Sequence, residues 1–169
     1  MDSNLLYMLI LYPIFFIFPA YCANGAPVVF GGGKPLDFGV KFRGKPLLGK
    51  HKTIKGLISG LSSGIIIGFA QSLVPGYSFM LVIGAVQGIG AMAGDLVGSF
   101  IKRRQGMKEG SKAGLMDQYL FLVFAFLFSI PFGNLPSTYG IIVIFLLTGI
   151  LHKLTNTIAH RWRIKDVPW

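Results

Sequence analysis

The sequence predicts an all-α integral membrane protein with five transmembrane helices, and three observations lead to this fold class. Hydrophobic residues make up 53% of the 169 residues and charged residues only 13%, about half of the charged fraction that is usual in soluble domains. The uncharged segments are long enough to cross a bilayer, and the basic residues lie between them. The length suits a single transmembrane domain that comprises residues 1–169.

The uncharged segments define the helices in order, because a crossing needs about 20 mostly apolar residues. Segment 3–33 predicts a first helix at about 4–23. Segment 56–94 is too long for one crossing and contains Pro75 and Gly76, so it predicts helices at about 56–73 and 78–101. Segment 118–151 is divided at Pro131 and Pro136 and predicts helices at about 117–133 and 137–156. The long loops are then about 24–55 and 102–116.

The orientation follows from the sixteen Lys and Arg residues. Seven lie in residues 34–55, five in 102–112 and four in 153–165. With five crossings these segments share one side, which the positive-inside rule makes the cytoplasm, so the N-terminus is expected outside and the C-terminus inside. A cleaved signal peptide is the alternative for the N-terminal segment, but Asp2 stands where its basic region would be, which favours a retained helix.

The net charge of +10 is explained by basic loops that orient the protein and contact anionic lipid. Nucleic-acid binding is not expected, because the sequence contains no helix-turn-helix pattern, stacking module or zinc-finger spacing. The second helix carries glycines at residues 56, 60, 64 and 68, and the third carries them at 90, 94 and 98. This spacing predicts close helix packing, which would hold neighbouring side chains rigidly.

Asp95 is the first candidate functional residue, because an aspartate deep in a span costs about 2.5–3.5 kcal/mol. On a helix Asp95, Ser99 and Lys102 lie on one face, at i, i+4 and i+7. One explanation is a structural Asp–Lys pair across two turns. The other is a divalent-cation site, because Asp117 begins the next helix, and two carboxylates surrounded by cations suit Mg²⁺ that holds a polyphosphate. The cations of this site would be Lys102, Arg103, Lys108 and Lys112.

The segment GKHKTIKG, residues 49–56, supplies a second candidate group. It places Lys52, Thr53 and Lys55 at the start of a helix, where free backbone N–H groups and the helix dipole favour an anion. The spacing is not that of a P-loop. Thr53 could equally be an N-cap and the lysines membrane anchors.

Four segments together resemble the CDP-archaeol synthase family along nearly the whole chain. They are PAYCANGAPVVFGGGKPLDFG (19–39), GKHKTIKG (49–56), GDLVGSFIKRRQG (94–106) and LMDQ (115–118). More distantly, KTIKG and the pattern G-D-x-x-x-S-x-x-K-R are similar to the core of CDP-diacylglycerol synthases.

The resemblance implies a membrane enzyme that requires Mg²⁺, transfers CMP from CTP to 2,3-bis-O-(geranylgeranyl)glycerol 1-phosphate and releases pyrophosphate. Its partners would be CTP, the archaeal ether-lipid phosphate and membrane lipid. Asp95 and Asp117 match the metal carboxylates, Ser99 a nearby polar ligand, and Lys102 and Arg103 phosphate clamps. The chain matches further family positions at Asn24, Asp37, Lys52 and Thr53.

The chain departs from the bacterial-type signature at two places. It reads GSKAGLMD where that signature has His-Gly-Gly before its last aspartate, which favours the archaeal branch. Leu120 stands where a second acid would follow Asp117, so the number of metal ions stays open. An ionised lipid phosphate needs no general base, and neither His51 nor His152 is a convincing one, since a lone interfacial histidine is more often structural. A small channel or transporter with an ion-binding Asp95/Lys102 cavity is the alternative function.

Overall fold

The computed structural model describes residues 3–111 and 113–164. Within them five helices are long and apolar enough to cross a membrane, which confirms the predicted fold class. The first, α1, runs through a short turn, a π-helical segment and a long α-helix, and α4 ends in a 3₁₀ turn. The bounds are Ser3–Leu6, Tyr7–Leu11 and Tyr12–Phe30 for α1, Ile54–Ser72 for α2, Met80–Arg104 for α3, Leu115–Ser129 with Ile130–Phe132 for α4, and Thr138–Arg161 for α5.

Helix α3 lies at the centre of the bundle and packs against α1, α2 and α4, whereas α5 has fewer neighbours. Glycines make this packing close. A Cβ at Gly64 would lie 2.8 Å from the carbonyl oxygen of Gly84, and a Cβ at Gly90, which faces α4, would lie 2.6 Å from that of Phe124. The predicted role of the glycine stripes in packing is confirmed, although the α3 glycines that meet α2 are Gly84 and Gly88 rather than those at 90–98.

Two glutamines of the bundle bind the backbone of α1. Pro19 has no N–H, so it leaves the carbonyl of Phe15 without its usual helical donor. Gln71 of α2 donates to that carbonyl at 2.6 Å, and the fully buried Gln87 of α3 donates to the carbonyl of Phe16 at 3.0 Å. These bonds supply backbone partners where lipid has none to offer.

The loop between α1 and α2 is ordered by a short hairpin and by one carboxylate. Strands β1 (Lys41–Phe42) and β2 (Lys45–Pro46) are antiparallel, and Arg104 at the end of α3 donates to the carbonyls of Phe42, Lys45 and Pro46. The buried Asp37 accepts backbone hydrogen bonds from Gly39, Leu48 and Gly49. Burial raises the pKa of the Asp37 carboxyl, but these bonds outweigh it and hold the pKa below its ordinary value.

The predicted helix bounds are wrong at several ends. Helix α1 continues to Phe30 instead of ending near residue 23, so Asn24 belongs to a helix and not to a loop. Pro27 is accommodated inside this helix: it leaves the carbonyl of Ala23 without its usual helical donor, and that carbonyl lies against Gly60. Helix α3 extends to Arg104 and α5 to Arg161, because an amphipathic helix end can leave the hydrocarbon region without unwinding.

Candidate active site

A polar cleft lies where α1, α3 and α4 meet beside the two long loops. It measures about 250 Å³, including the part open to solvent. Its polar wall comes from three helices, and the apolar remainder comes mostly from α4. The lining residues are Asn24, Gly94, Asp95, Gly98, Ser99, Lys102, Met116, Asp117, Leu120 and Phe121. Asp95, Ser99 and Lys102 therefore share one face of α3, as their spacing predicts.

The carboxylate of Asp95 is paired with Lys52 from the loop that precedes α2. The Lys52 Nζ atom donates to the two carboxylate oxygens at 2.7 and 2.6 Å. The backbone of this loop fixes the lysine, because the Lys52 carbonyl accepts from the N–H of Leu36 at 2.7 Å and the Lys52 N–H donates to Gly49 at 3.1 Å. Residues 43 positions apart in the chain thus form one ion pair at the mouth of the bundle.

The second carboxylate, Asp117, is paired with Lys102. The Lys102 Nζ atom lies 2.8 Å from Asp117 Oδ1, and Asp117 Oδ2 accepts from the N–H of Ala113 at 2.7 Å. The intrahelical Asp95–Lys102 pair considered from the sequence is wrong, since each of these residues has another partner. All four charged side chains are between 19% and 29% exposed, so solvent reaches the pairs without surrounding them.

The oxygen atoms of the cleft suit a magnesium ion. Two carboxylates, the hydroxyl of the buried Ser99 and the amide of Asn24 line one space. Mg²⁺ binds through one or two carboxylates, water and substrate phosphates rather than a full protein cage. Among the described residues no group of three or more His, Cys, Asp or Glu is close enough to hold a metal.

Several residues predicted for the site lie elsewhere. The buried hydroxyl of Thr53 accepts from the N–H groups of Gly56 and Gly32, which makes Thr53 the N-cap of α2. Lys55 is exposed, and its side chain packs near Gly33. Arg103, Lys108 and Lys55 do not line the polar cleft. Lys112 lies outside the described residues.

The sequence reasoning missed the apolar wall of the cleft. Leu120 and Phe121 follow Asp117 by three and four residues, so helical periodicity alone places them on the face of that aspartate. Met116 directly precedes Asp117 in the first turn of α4. The wall gives the cleft an apolar side next to its charged one, which suits a ligand with a charged head and a lipid tail.

A membrane-spanning helical bundle with a cleft of paired carboxylates and lysines suits an integral membrane enzyme that acts on a phosphorylated substrate, and it would also suit the ion-binding cavity of a channel. The sequence model of the family described as CarS-like, CDP-archaeol synthase, matches residues 6–169. The chain belongs to this family, whose members are nucleotidyltransferases of archaeal lipid synthesis. An enzyme, and not a channel, is therefore the function that the comparisons support.

Individual relatives agree with the family assignment. A CDP-archaeol synthase of Methanopyrus kandleri is 44% identical and is aligned over 92% of this chain and 91% of its own length. A CDP-archaeol synthase of Pyrococcus abyssi is 42% identical over 93% of this chain and 99% of its own. A solved structure described as an intramembrane enzyme for archaeal membrane lipids biosynthesis has a TM-score of 0.79 and 38% identity, and it covers 85% of this chain and 91% of that one.

Proposed function

We propose that this chain transfers CMP from CTP to 2,3-bis-O-(geranylgeranyl)glycerol 1-phosphate with the help of Mg²⁺ in the polar cleft. One observation carries the assignment of the site: Asp95 and Asp117, from different helices, line one cleft, and each holds a lysine ammonium. The two carboxylates and the two lysine ammonium groups together carry no net charge. They can exchange partners when a metal and a polyphosphate arrive together.

In the reaction a phosphate oxygen of the lipid attacks the α-phosphorus of CTP, and pyrophosphate leaves with the electron pair of the broken P–O bond. The acceptor is already ionised, so the site has to position two anions and absorb charge rather than remove a proton. His51 lies 3.9 Å from Glu109 and does not line the polar cleft. The side chain of His152 lies outside the described residues.

The aspartates and the lysines have different tasks in this reaction. Asp95 and Asp117 would hold the metal, which would supply positive charge beside the phosphate oxygens. Lys52 and Lys102, released from the carboxylates, neutralise phosphate oxygens in a partly dry cleft, where such contacts count most. The hydroxyl of Ser99 and the amide of Asn24 orient oxygen atoms beside them.

The apolar wall explains how a lipid acceptor reaches the same cleft. Met116, Leu120 and Phe121 border the carboxylates, and Leu120 follows Asp117 by less than one helical turn. A headgroup can lie on the charged side while its first tail carbons lie on α4. The isoprenoid tails then stay in the hydrocarbon region, and burial of their methylene and methyl groups holds the acceptor in place.

The polar cleft faces the cytoplasm in this proposal. It lies at the end of the bundle that carries the two loops richest in Lys and Arg, at residues 34–55 and 102–112. The positive-inside rule makes that side the cytoplasm, where CTP is formed. The same rule gives an N-terminus outside and a C-terminus inside.

The test uses the purified full chain with CTP, Mg²⁺ and the lipid phosphate, and measures lipid-dependent release of pyrophosphate. Asp95→Asn and Asp117→Asn should each lower kcat by about a hundredfold or more, because each removes a charge that acts in the transition state. Thermal unfolding in detergent shows whether the variants remain folded. Full activity in a folded variant would remove that aspartate from the site, and absence of turnover in the wild type would refute the reaction.

A further inference from the structure

The loop between α1 and α2 exposes three large apolar side chains at its hairpin. Phe38 is 74% exposed, Val40 is 55% exposed and Phe42 is 47% exposed. None of the three lines the polar cleft. Apolar side chains that lie next to one another on a surface mark a site of contact with another molecule or with a membrane.

The end of α3 sets the height of this hairpin in the membrane. Helix α3 has 25 residues, which gives a length of about 37 Å, whereas the hydrocarbon core is about 30 Å thick. The last turn of α3, which ends in Arg104, therefore reaches the headgroup region. Because Arg104 donates to three carbonyls of the hairpin, the hairpin is fixed at the level of the headgroups and not in bulk water.

Aromatic rings and cations alternate at this attachment point. The guanidinium carbon of Arg104 lies 5.3 Å from the centroid of the Phe42 ring and 5.2 Å from that of Phe100. The guanidinium carbon of Arg43 lies 5.5 Å from the centroid of the Phe42 ring. Rings next to long cationic side chains are typical of the boundary between water and lipid, because the rings prefer the acyl chains and the charges reach the headgroups.

The exposed charges around the three apolar side chains are all positive. Residues 34–45 contain one acid, Asp37, which is buried and accepts backbone hydrogen bonds. The cations of this segment are all exposed, and they are Lys34, Lys41, Arg43 and Lys45. A surface that offers both hydrocarbon and negative charge, as an anionic leaflet does, matches this combination. A second copy of the hairpin would bring the same positive charge, so repulsion disfavours it as the occupant.

Two of these exposed residues have a backbone conformation that their side chains disfavour. The φ angle is 49° at Phe38 and 51° at Arg43, in the left-handed region where the Cβ of a non-glycine residue is crowded. Arg43 and Gly44 form the two-residue turn of the hairpin, and asparagine or glycine is preferred at the first position of such a turn. Because both side chains are exposed, packing within the chain offsets little of this cost. Contact with lipid would offset it.

The second strand of the hairpin faces the protein. Lys45 and Pro46 of β2 line a second cleft beside the end of α3. The other residues that line this second cleft are Arg103, Gly106, Met107 and Glu109. Residues 38–43 are therefore the side of the hairpin that the protein leaves uncovered.

We propose that residues 38–43 form an interfacial anchor, which binds the leaflet at the basic end of the bundle. Phe38 and Val40 enter the boundary between headgroups and acyl chains, and Lys41 and Arg43 bind the phosphates of anionic lipids. The partner is the lipid surface itself, so the anchor does not depend on the proposed reaction. It would also hold the loop that carries Lys52 against the membrane.

The test places a fluorescent nitrobenzoxadiazole label on the anchor and determines whether lipid or water surrounds it. Cys22→Ser removes the only native cysteine, and Val40→Cys carries the label. The protein is reconstituted into vesicles of phosphatidylcholine and phosphatidylglycerol. Nitroxide lipids quench the label from within the bilayer, and iodide quenches it from the water. Lys50→Cys is the matched control, because Lys50 is exposed in the same loop and lies 3.9 Å from Glu109 instead of beside the anchor.

The label on Val40→Cys should be quenched by nitroxide lipids about threefold more than the label on Lys50→Cys, and iodide should show the opposite order, because interfacial apolar side chains lie about 5–10 Å below the headgroups. Addition of Phe38→Ser should move the label on Val40→Cys towards water. Leu115→Ser removes an almost equally exposed apolar side chain at the start of α4 and should leave the label where it is.

The basic residues of the anchor are tested by the charge of the quenching lipid. In the labelled Val40→Cys protein, nitroxide phosphatidylglycerol should quench more strongly than nitroxide phosphatidylcholine at the same mole fraction. Lys41→Gln and Arg43→Gln should each lower this preference by up to about fivefold, which is the usual worth of one cation near an anionic surface. An unchanged preference in the double variant would remove both cations from lipid binding.

The other outcomes overturn the anchor. Equal quenching by iodide at Val40→Cys and Lys50→Cys would refute it, and protection of the Val40→Cys label from both quenchers would assign the surface to a second copy of the chain. Phe38→Ser should melt like its parent in neutral detergent, since the anchor acts only through lipid. A lower melting temperature would make Phe38 a packing residue of the loop, and the comparison of Val40→Cys with Lys50→Cys would then decide. Pyrophosphate release by the same vesicles tests the reaction separately.

Discussion

Replacement of Lys52 by methionine should change the affinities for magnesium and for CTP in opposite directions. In the protein without ligands Lys52 is the counter-ion of Asp95. A magnesium ion that arrives alone has to displace this ammonium and meets the repulsion of the freed lysine. When CTP arrives with the metal, the lysine gains phosphate oxygens in exchange. Methionine keeps most of the length of the side chain and removes only its charge.

The geometry of the pair sets the size of the effect. The Lys52 Nζ atom lies 2.6 Å from one oxygen of Asp95, and both side chains are less than a third exposed. At an effective dielectric constant of about 20, unit charges at that distance attract each other by roughly 6 kcal/mol. Desolvation of the two ions removes much of this gain. A net of about 1.5–3 kcal/mol gives a tenfold to hundredfold higher affinity for Mg²⁺ alone, and a loss of similar size for CTP.

Isothermal titration of the detergent-solubilised protein measures both affinities, first with MgCl₂ alone and then with CTP at saturating Mg²⁺. Lys41→Met is the matched control, because it removes the same charge from β1, where the side chain is exposed and lines neither cleft. It should change neither affinity by more than about twofold. If Lys52→Met weakens both ligands, or changes neither, the exchange of partners at Asp95 is refuted.

Three further predictions concern packing, pH and the metal. Gly64→Ala should lower the melting temperature by several degrees, because its Cβ would lie 2.8 Å from the carbonyl of Gly84, whereas Gly25→Ala, with open space around it, should not. Asp37 has a folded pKa below the unfolded value of about 3.9, so its stabilisation of the loop is complete above that pH and is lost as the pH falls through the folded pKa. Cleavage in residues 31–53 by pepsin should therefore accelerate below about pH 4 in the wild type, and Asp37→Asn should show less of this dependence. Chelation of Mg²⁺ should weaken CTP binding by about tenfold or more while leaving the melting temperature of the nucleotide-free protein unchanged. Equal melting of the two glycine variants, cleavage independent of pH, or CTP binding without metal would each contradict its prediction.

The site could be predicted from the sequence to the extent that it follows helical periodicity. Asp95, Ser99 and Lys102 share a face because their spacing is close to whole turns, and the structure places them in one cleft. The partner of each carboxylate could not be predicted, because it depends on where a loop returns. Lys52 lies beside Asp95 because hydrogen bonds to Asp37 and the Thr53 cap fix the loop on either side of it. Arg103, one residue from Lys102, turns to a different cleft.

By itself, the sequence determined the membrane setting, the number of crossings and the charged residues that are candidates for the site. Hydropathy, charge distribution and periodicity are local properties of the chain. The tertiary structure decided which lysine neutralises which aspartate, how far α1 continues, and that Lys102 and Arg103 line different clefts. These features arise from contacts between residues tens of positions apart. Their energies depend on distances of a few ångströms that no single segment specifies.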